Sequence, residues 1–286
     1  MKTVGLFVAA ILIALSSVWL HDKNVHTVNA TQETAYDRVL HTKTLRCGYA
    51  DWPPHGLVKD PNTGKISGVM YDILEEIGRR LSLKIDWSEN TGWSNIVSSL
   101  QSKRIDVFCA GLWVNAERGR SLTYSMPLFF NASFPFVRID DHRFDKDIKR
   151  ADSSDIRFSS IEGELSDATA RLHFPKAQKI PVSQMLQASE ALNNIAVNKA
   201  DIIILDYSMG KGFIDSNPST LRKLGDKPFQ VFQNSLGFDI HENTLRDMIN
   251  NALNEMHNQG VIANIVAKHS NDPSEFIPVA PSYLQP

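Results

Sequence analysis

The chain has 286 residues, of which 42% are hydrophobic and 22% are charged. This balance excludes an intrinsically disordered chain, because disorder requires few apolar residues and a high charge content. Lys and Arg total 30 against 32 Asp and Glu, a formal net charge of -2, which excludes a broad basic surface for binding nucleic acid. The length predicts two domains.

The first thirty residues have the pattern of an export signal. Lys2 precedes an apolar run from Val4 to Leu20, and the small-residue pattern Val28-Asn29-Ala30 follows. We therefore predict a signal peptide over residues 1–30, cut after Ala30, and an exported, periplasmic chain. The alternative is a retained membrane anchor, because the apolar run is near the lower length limit for a membrane span.

From Leu45 onward, short apolar runs alternate with stretches of helical periodicity, which predicts an α/β protein with mainly parallel sheets. The first series consists of predicted strands at 45–49, 84–87 and 105–112 and predicted helices at 70–81 and 94–101. The helix at 70–81 is the clearest, since its apolar residues follow helical spacing. Together these elements make a βαβαβ unit.

A second series begins near Ile156. It consists of predicted strands at 156–161 and 201–205 and predicted helices at 166–173, 183–198 and 245–256. Ser166 is the predicted N-cap of the first of these helices, and Gly260 ends the last one. The prolines after Ser270 exclude a helix there, so we predict a tail on the surface.

Cys47 and Cys109 are the only cysteines, and each lies in a predicted strand. An oxidising compartment would permit a disulfide between them, but buried structural thiols are the simpler interpretation, and we predict free thiols. The nine His residues show no ligand spacing for a metal. Common catalytic motifs, including GxSxG, HExxH, the Walker loop and GxGxxG, are absent. We therefore predict no catalytic residue, no metal and no cofactor.

The richest local pattern is the string from Asp106 to Pro127, DVFCAGLWVNAERGRSLTYSMP. It resembles the segment D-x-x-x-x-G-x-x-x-T-x-E-R-x-x-x-x-x-F-S-x-P of the polar amino-acid family of periplasmic solute-binding proteins (family 3), the ligand-capturing subunits of ABC importers. Weaker matches occur in the family's order at Leu45–Tyr49, Gly68–Asp72, Trp93, Asn198–Asp206 and Leu253–Ile262. The resemblance extends from Leu45 to about His269.

The resemblance implies a two-lobed α/β architecture, the type II periplasmic binding protein fold, with two hinge crossovers and one ligand in the cleft between the lobes. Residues 31–134 and 236–286 would form lobe one, and residues 135–235 would form lobe two. The implied partners are a small-molecule ligand and the membrane permease of an ABC importer, and we expect a monomer.

The resemblance also implies two charged contacts to a zwitterionic ligand. Arg118 aligns with the arginine that the family uses to grip an α-carboxylate through two charge-assisted hydrogen bonds; the alternative is a surface ion pair with Glu117. Asp206 ends an apolar strand at the position where similar proteins hold the ligand's ammonium group. The alternative for Asp206 is capping of the next turn.

Four further residues complete this part of the predicted site. Trp52 and Trp93 match positions whose rings sandwich the ligand side chain in the family, although each could be a plain core aromatic. Gly111 is the glycine of the matched string. Trp113 departs from the family, which commonly has Thr or Ser there, and Asn115 replaces the usual Thr, although its backbone N–H could still serve.

Glu164 is the sharpest departure from the family pattern. Gly163-Glu164-Leu165-Ser166 occupies the place of the family's Gly-Thr/Ser loop, where a hydroxyl and a helix N-terminus usually help to hold the carboxylate. If Glu164 faces the cleft, it should weaken binding of a simple carboxylate or pair with a cationic group on the ligand. If it faces solvent, it has no effect on binding, and the sequence does not decide between these positions.

Three hypotheses follow. The leading one is a binding protein that performs no reaction and delivers an amino acid or related amine-bearing compound to an ABC importer. The second is a binder of a quaternary ammonium compound such as a betaine, with Trp52, Trp93 and Trp113 as an aromatic cage. The third is an enzyme similar to the cyclohexadienyl dehydratases of this fold, with Glu164 as the proton donor.

Overall fold

The computed structural model describes residues 33–185, 188–270, 272 and 274–279. The predicted signal peptide lies outside the described residues. Within the described part of the chain, none of the helices combines the length and the apolar character that crossing a bilayer would require.

The first part of the chain contains every element that the sequence predicts there. In order, it forms α1 (Ala35–Thr42), β1 (Thr44–Tyr49), β2 (Val58–Lys59), β3 (Ile66–Ser67), α2 (Val69–Leu81), β4 (Lys84–Asn90), α3 (Ile96–Gln101) and β5 (Val107–Trp113). Helix α2 buries its regularly spaced apolar face, including Met70, Ile73 and Ile77. It ends at Ser82, which adopts the left-handed conformation.

The rest of the chain repeats the alternation of strands and helices. It forms β6 (Leu122–Tyr124), β7 (Phe129–Arg138), β8 (Arg157–Ile161), α4 (Leu165–His173), β9 (Gln178–Val182), α5 (Ala188–Ala196), β10 (Ile202–Asp206), α6 (Tyr207–Ser216), β11 (Leu221–Lys223), β12 (Gln230–Asp239), α7 (Asn243–Asn258) and α8 (Val261–His269). Short 3-10 turns occupy Arg118–Arg120 and Ile148–Ala151.

The main strands follow one another in the order β4-β1-β5-β12-β7-β10-β8-β9. Strand β1 runs parallel to β4 and β5, and β8 runs parallel to β9 and β10. Between these two parallel groups lie β7 and β12, which pair with each other antiparallel. The chain therefore forms two α/β units joined through two long strands, as the predicted fold class requires.

The buried apolar residues divide in the same way. One cluster draws on residues 39–129 and 236–276, and two smaller clusters draw on residues 132–224. Lobe one is thus built from two separate parts of the sequence. This grouping supports the predicted lobe boundaries, which remain a prediction at the level of single residues.

The prediction of free thiols is wrong, because Cys47 and Cys109 form a disulfide with their Cα atoms 5.5 Å apart. Cys47 lies opposite Val107 in the parallel pair β1–β5, and side chains two residues apart on a strand share a face. Cys109 is therefore on the same face as Cys47 and within bridging distance. Hydrophobic patterning alone does not reveal that β1 and β5 are neighbours.

Two predicted helix starts are also wrong. Helix α4 begins after Glu164 rather than at Ser166, whose hydroxyl oxygen instead accepts a hydrogen bond of 2.9 Å from the backbone N–H of Ile161. The helix predicted from Ser183 is described over Ala188–Ala196, and residues 183–185 are not helical. In both places, residues that directly follow a strand end, Glu164 and Gln184, line the cavity instead of continuing into a helix.

The described residues of the tail after Ser270 are not helical. The prediction that the tail lies on the surface is wrong for Glu275 and Phe276, which are buried, whereas Pro278 and Val279 are exposed. Ile277 exchanges two backbone hydrogen bonds of 2.7 Å with Phe130 on β7. Phe276 is 2% exposed, and its ring centroid lies 5.1 Å from that of Phe129 and 5.9 Å from that of Trp52. Two consecutive apolar residues therefore attach the tail to a hinge strand.

Candidate functional site

A cavity of about 710 Å³ lies between the two α/β units, within the size range of small-molecule sites. Its wall includes six of the eight residues predicted to bind ligand: Trp52, Trp93, Gly111, Trp113, Glu164 and Asp206. Arg118 and Asn115 do not line it. The structure therefore brings most of the predicted site together around one space.

Two tryptophans form the aromatic part of this wall. Trp52 is 3% exposed and packs against Phe129, with 6.3 Å between ring centroids, and its indole Nε1 has no hydrogen-bond partner among the described residues. Trp93 packs edge to face on Phe108, with centroids 5.7 Å apart. Each ring therefore belongs to the core on one side and to the cavity on the other.

Gly111 lets strand β5 approach the hinge closely. Its φ angle is +83°, and a Cβ atom there would lie 2.5 Å from Oδ1 of Asn234 on β12 and 3.1 Å from the ring of Trp52. A side chain at this position would meet both the unfavourable backbone region and the contact. Glycine is thus required for the shape of the cavity wall.

Glu164 faces the cavity, which decides the question that its position in the sequence leaves open. Its Oε1 accepts hydrogen bonds of 2.6 Å from Nη2 of Arg118 and 2.6 Å from Nε2 of Gln184, and its Oε2 accepts one of 2.9 Å from Nε1 of Trp113. Arg118 is thus paired with a carboxylate across the cleft rather than with Glu117. The carboxylate that it holds belongs to the protein.

Arg118 lies behind Glu164 as seen from the cavity. Its guanidinium carbon lies 5.7 Å from the centroid of the Trp113 ring, and its backbone N–H donates a 2.7 Å hydrogen bond to Oδ1 of Asn115. Asn115 therefore fixes the turn that carries Arg118 and does not itself reach the cavity.

Asp206 uses its two carboxylate oxygens differently. Oδ1 caps helix α6, accepting hydrogen bonds from the hydroxyl and backbone N–H of Ser208 and from the N–H of Met209. Oδ2 is buried and has no hydrogen-bond partner among the described residues. Burial, with a smaller contribution from the charge of Glu275, raises the pKa of Asp206 to about 6. The predicted alternative, capping of the next turn, is therefore observed for Oδ1, whereas contact of Asp206 with a ligand ammonium group stays a prediction.

The charged residues of the described cavity wall are all acidic: Asp51, Glu164 and Asp206. Lys, Arg and His are absent from it within the same described residues. A low-dielectric cleft lined by one sign of charge attracts the opposite sign. Across the described part of the chain, no cluster of three or more His, Cys, Asp or Glu side chains is suited to a metal ion. The acidic wall therefore favours a ligand with a cationic group.

The wall residues that were missed from the sequence include Asp51, Gln184 and Asn234. Asp51 and Gln184 follow the ends of β1 and β9, and ligands of open parallel sheets bind beyond the carboxyl ends of the strands. That rule could have found both. Asn234 lies on the antiparallel hinge strand β12, for which the sequence offers no equivalent signal.

The geometry bears on the two alternative hypotheses. Trp113 has the guanidinium of Arg118 over its ring and its Nε1 bonded to Glu164, so it is less available as a wall of an aromatic cage. Glu164 accepts hydrogen bonds from three donors, an arrangement suited to a carboxylate that acts only as acceptor. A proton donor instead needs a proton directed at its substrate.

Comparisons with known proteins agree with this architecture. The family described as bacterial extracellular solute-binding proteins, family 3, matches residues 45–272. A probable histidine-binding protein of Campylobacter jejuni is 24% identical over 270 residues, which cover 92% of this chain and 98% of that protein. The cyclohexadienyl dehydratase of Pseudomonas aeruginosa is 22% identical over 176 residues, 61% of this chain and 63% of that protein.

A similar solved structure is that of an ancestral amino-acid-binding protein, AncCDT-1, described as a precursor of cyclohexadienyl dehydratase. It superimposes with a TM-score of 0.71 at 20% identity and covers 83% of this chain and 99% of its own. At that identity the likeness concerns the fold. Because the family match spans most of the sequence in a single stretch, the chain belongs to the bacterial extracellular solute-binding proteins of family 3.

Proposed function

We propose that this protein captures a small amine-bearing solute, an amino acid or a related compound, in the cavity between its lobes and delivers it to the permease of an ABC importer. The observation that carries the proposal is Asp206, a residue of the cavity wall whose Oδ2 is buried and has no hydrogen-bond partner among the described residues. A buried carboxylate oxygen without a partner costs free energy. A ligand ammonium group would supply the missing partner.

The ligand would contact both lobes. Asp206 and Glu164 belong to lobe two (135–235), whereas Trp52, Trp93 and Gly111 belong to lobe one. A ligand that touches both surfaces stabilises the closed arrangement by its extra contacts there. The hinge strands β7 and β12 would absorb the opening motion. Export through the signal peptide at 1–30 and a monomeric state belong to the same proposal.

The proposal assigns no reaction to the cleft. The matched family consists of binding proteins, and the carboxylate of Glu164 is occupied by Arg118, Gln184 and Trp113. In this role Arg118 and Asn115 act from behind the wall, by holding Glu164 in place.

Isothermal titration calorimetry with a panel of amino acids and amines tests the proposal. We expect at least one compound to bind with micromolar affinity or better, and Asp206→Asn to weaken it about 10- to 100-fold through loss of a charge-assisted contact. Asp215→Asn is the matched control, because Asp215 lies on the same helix, is exposed, and pairs only with Lys211 at the surface. Full affinity in Asp206→Asn would contradict the site, and a wild-type protein that binds no small solute would contradict the function.

A further inference from the structure

Glu164 occupies the position at which a ligand carboxylate would meet Arg118. Glu164 lines the cavity and Arg118 does not, so the cavity meets the negative member of this ion pair. The pair joins the two lobes, and the side chains are only 12% and 16% exposed. The positive charge that would attract an anionic ligand group is therefore neutralised before the ligand reaches it.

A ligand carboxylate would find no free bidentate partner here. Nη2 of Arg118 is used by Glu164, and Nη1 is buried without a partner among the described residues. A carboxylate entering the cavity would have to displace Glu164 from all three of its donors, or else lie beside it with like charges in contact. Both arrangements disfavour an anion.

Among the described residues of the cavity wall, three buried side-chain atoms have no hydrogen-bond partner: two are acceptors, and the third, Nε1 of Trp52, is a donor. Oδ2 of Asp206 and Oδ1 of Asn234 are both buried acceptors without partners among the described residues, and both residues line the cavity. An ammonium group has three N–H donors and no acceptor. The tryptophan rings that line the same cavity provide apolar and cation–π surface for the remainder of such a ligand.

We propose that the preferred ligand is an amine cation without a free α-carboxylate, the decarboxylated counterpart of an amino acid. Its ammonium group binds Asp206, and the side chain of Glu164 takes the place that the ligand carboxylate would otherwise occupy on Arg118. This inference rests on the proposed function, because it names the substrate class of the same cavity.

Matched pairs of compounds test it: arginine and agmatine, lysine and cadaverine, histidine and histamine. Affinities are measured by calorimetry for the wild type, for Glu164→Thr and for the control Glu162→Thr, a change at an exposed position on the same loop. Threonine is a good N-cap residue, so helix α4 is retained. Glu164→Gln, which removes the charge at nearly constant size, replaces the threonine variant if that variant does not fold.

In the wild type and in Glu162→Thr, we expect at least one amine to bind about tenfold or more tightly than its amino acid. Glu164→Thr should reverse the order, because it frees Arg118 for the carboxylate. If the wild type binds the amino acid at least as tightly as the amine in every pair that binds, the inference is overturned and the proposed function stays intact. An unchanged preference in Glu164→Thr has the same consequence. Absence of binding by every compound, together with native mass spectra that show no bound solute, overturns both.

Discussion

Two buried aspartates at opposite ends of strand β10 differ in every respect except burial. Asp201, before the strand, is 3% exposed and accepts hydrogen bonds from three arginines: Arg138, Arg143 and Arg157. Burial alone would raise its pKa, but the bonds from Arg157 and Arg143 hold that pKa well below the usual range. Asp206, at the end of the strand, has no arginine partner among the described residues, and burial raises its pKa to about 6.

Lobe one contains a second buried aspartate that is paired with arginines, as Asp201 is. Asp106 precedes β5, pairs with Arg38 and Arg46, and accepts the backbone N–H of Arg46 at 2.7 Å. The backbone N–H of Arg157 reaches Asp201 in the same way, at 2.9 Å. The aspartates at the amino ends of these strands are thus paired within the protein, while Oδ2 of Asp206 at the carboxyl end of β10 has no partner in the described part of the chain. Ligand sites lie at the carboxyl ends of parallel strands. We therefore associate the paired aspartates at the amino ends with stability, and Asp206 at the carboxyl end with the proposed binding site.

The largest expected effect comes from replacing Asp201, the arginine-paired aspartate at the amino end of β10. Asp201→Asn should lower the free energy of unfolding by about 3–5 kcal/mol, because a neutral amide replaces a buried carboxylate that accepts charge-assisted hydrogen bonds from three arginines. Urea unfolding at pH 7 measures this change, and Asp106→Asn gives the corresponding value for lobe one. A loss below about 1 kcal/mol in both variants would show that these ion pairs do not stabilise the lobes.

The next largest effect concerns the disulfide of lobe one, because the corresponding positions of lobe two hold apolar side chains instead. Cys47 and Cys109 bridge β1 and β5 across a sequence separation of 62, whereas lobe two has the buried apolar side chains of Phe158 and Ile204 at the corresponding positions. Replacing both cysteines by serine should lower the free energy of unfolding by about 2–4 kcal/mol. Chemical unfolding measures the change. Thiol labelling of the unreduced, denatured wild type should find no free cysteine, and two labelled thiols would contradict the bridge.

Asp206→Asn should have the opposite effect and raise the free energy of unfolding. Because the native pKa of about 6 exceeds the reference value of 3.8, the native state retains a proton that the unfolded state releases, and stability falls as pH rises between these values. Asparagine removes this cost and keeps the helix cap. The ligand-free variant should be up to about 3 kcal/mol more stable at pH 8 and little changed near pH 4. Denaturation at both pH values tests this, and a destabilised variant at pH 8 would contradict it.

Much of the fold was accessible from the sequence because its signals are local. The apolar spacing of α2 and the continuous apolar run of β5 predicted those elements within two residues. The disulfide between Cys47 and Cys109 was not accessible, since it depends on which strands become neighbours. Helix α8, which begins directly after Gly260, was missed because the glycine that ends α7 also begins the next helix.

The site was predicted as a set of residues more successfully than as a set of contacts. Asp206 and Trp93 line the cavity as the resemblance implied. The pairing of Arg118 with Glu164 joins residues 46 apart in the sequence and on different lobes. Only the folded tertiary structure brings them within hydrogen-bond distance. The sequence therefore showed that Glu164 departs from the family pattern but not that Glu164 pairs with Arg118.

The central claim is that Asp206, whose Oδ2 has no hydrogen-bond partner among the described residues, is the partner of a cationic ligand. Calorimetry at pH 6, in two buffers of different ionisation enthalpy, tests it with the panel compound that binds most tightly. An ammonium group on Asp206 should displace its proton, so we predict release of about half a proton per bound ligand at pH 6 and almost none at pH 8, with Asp215→Asn behaving like the wild type. Binding at pH 6 without proton release would contradict the claim.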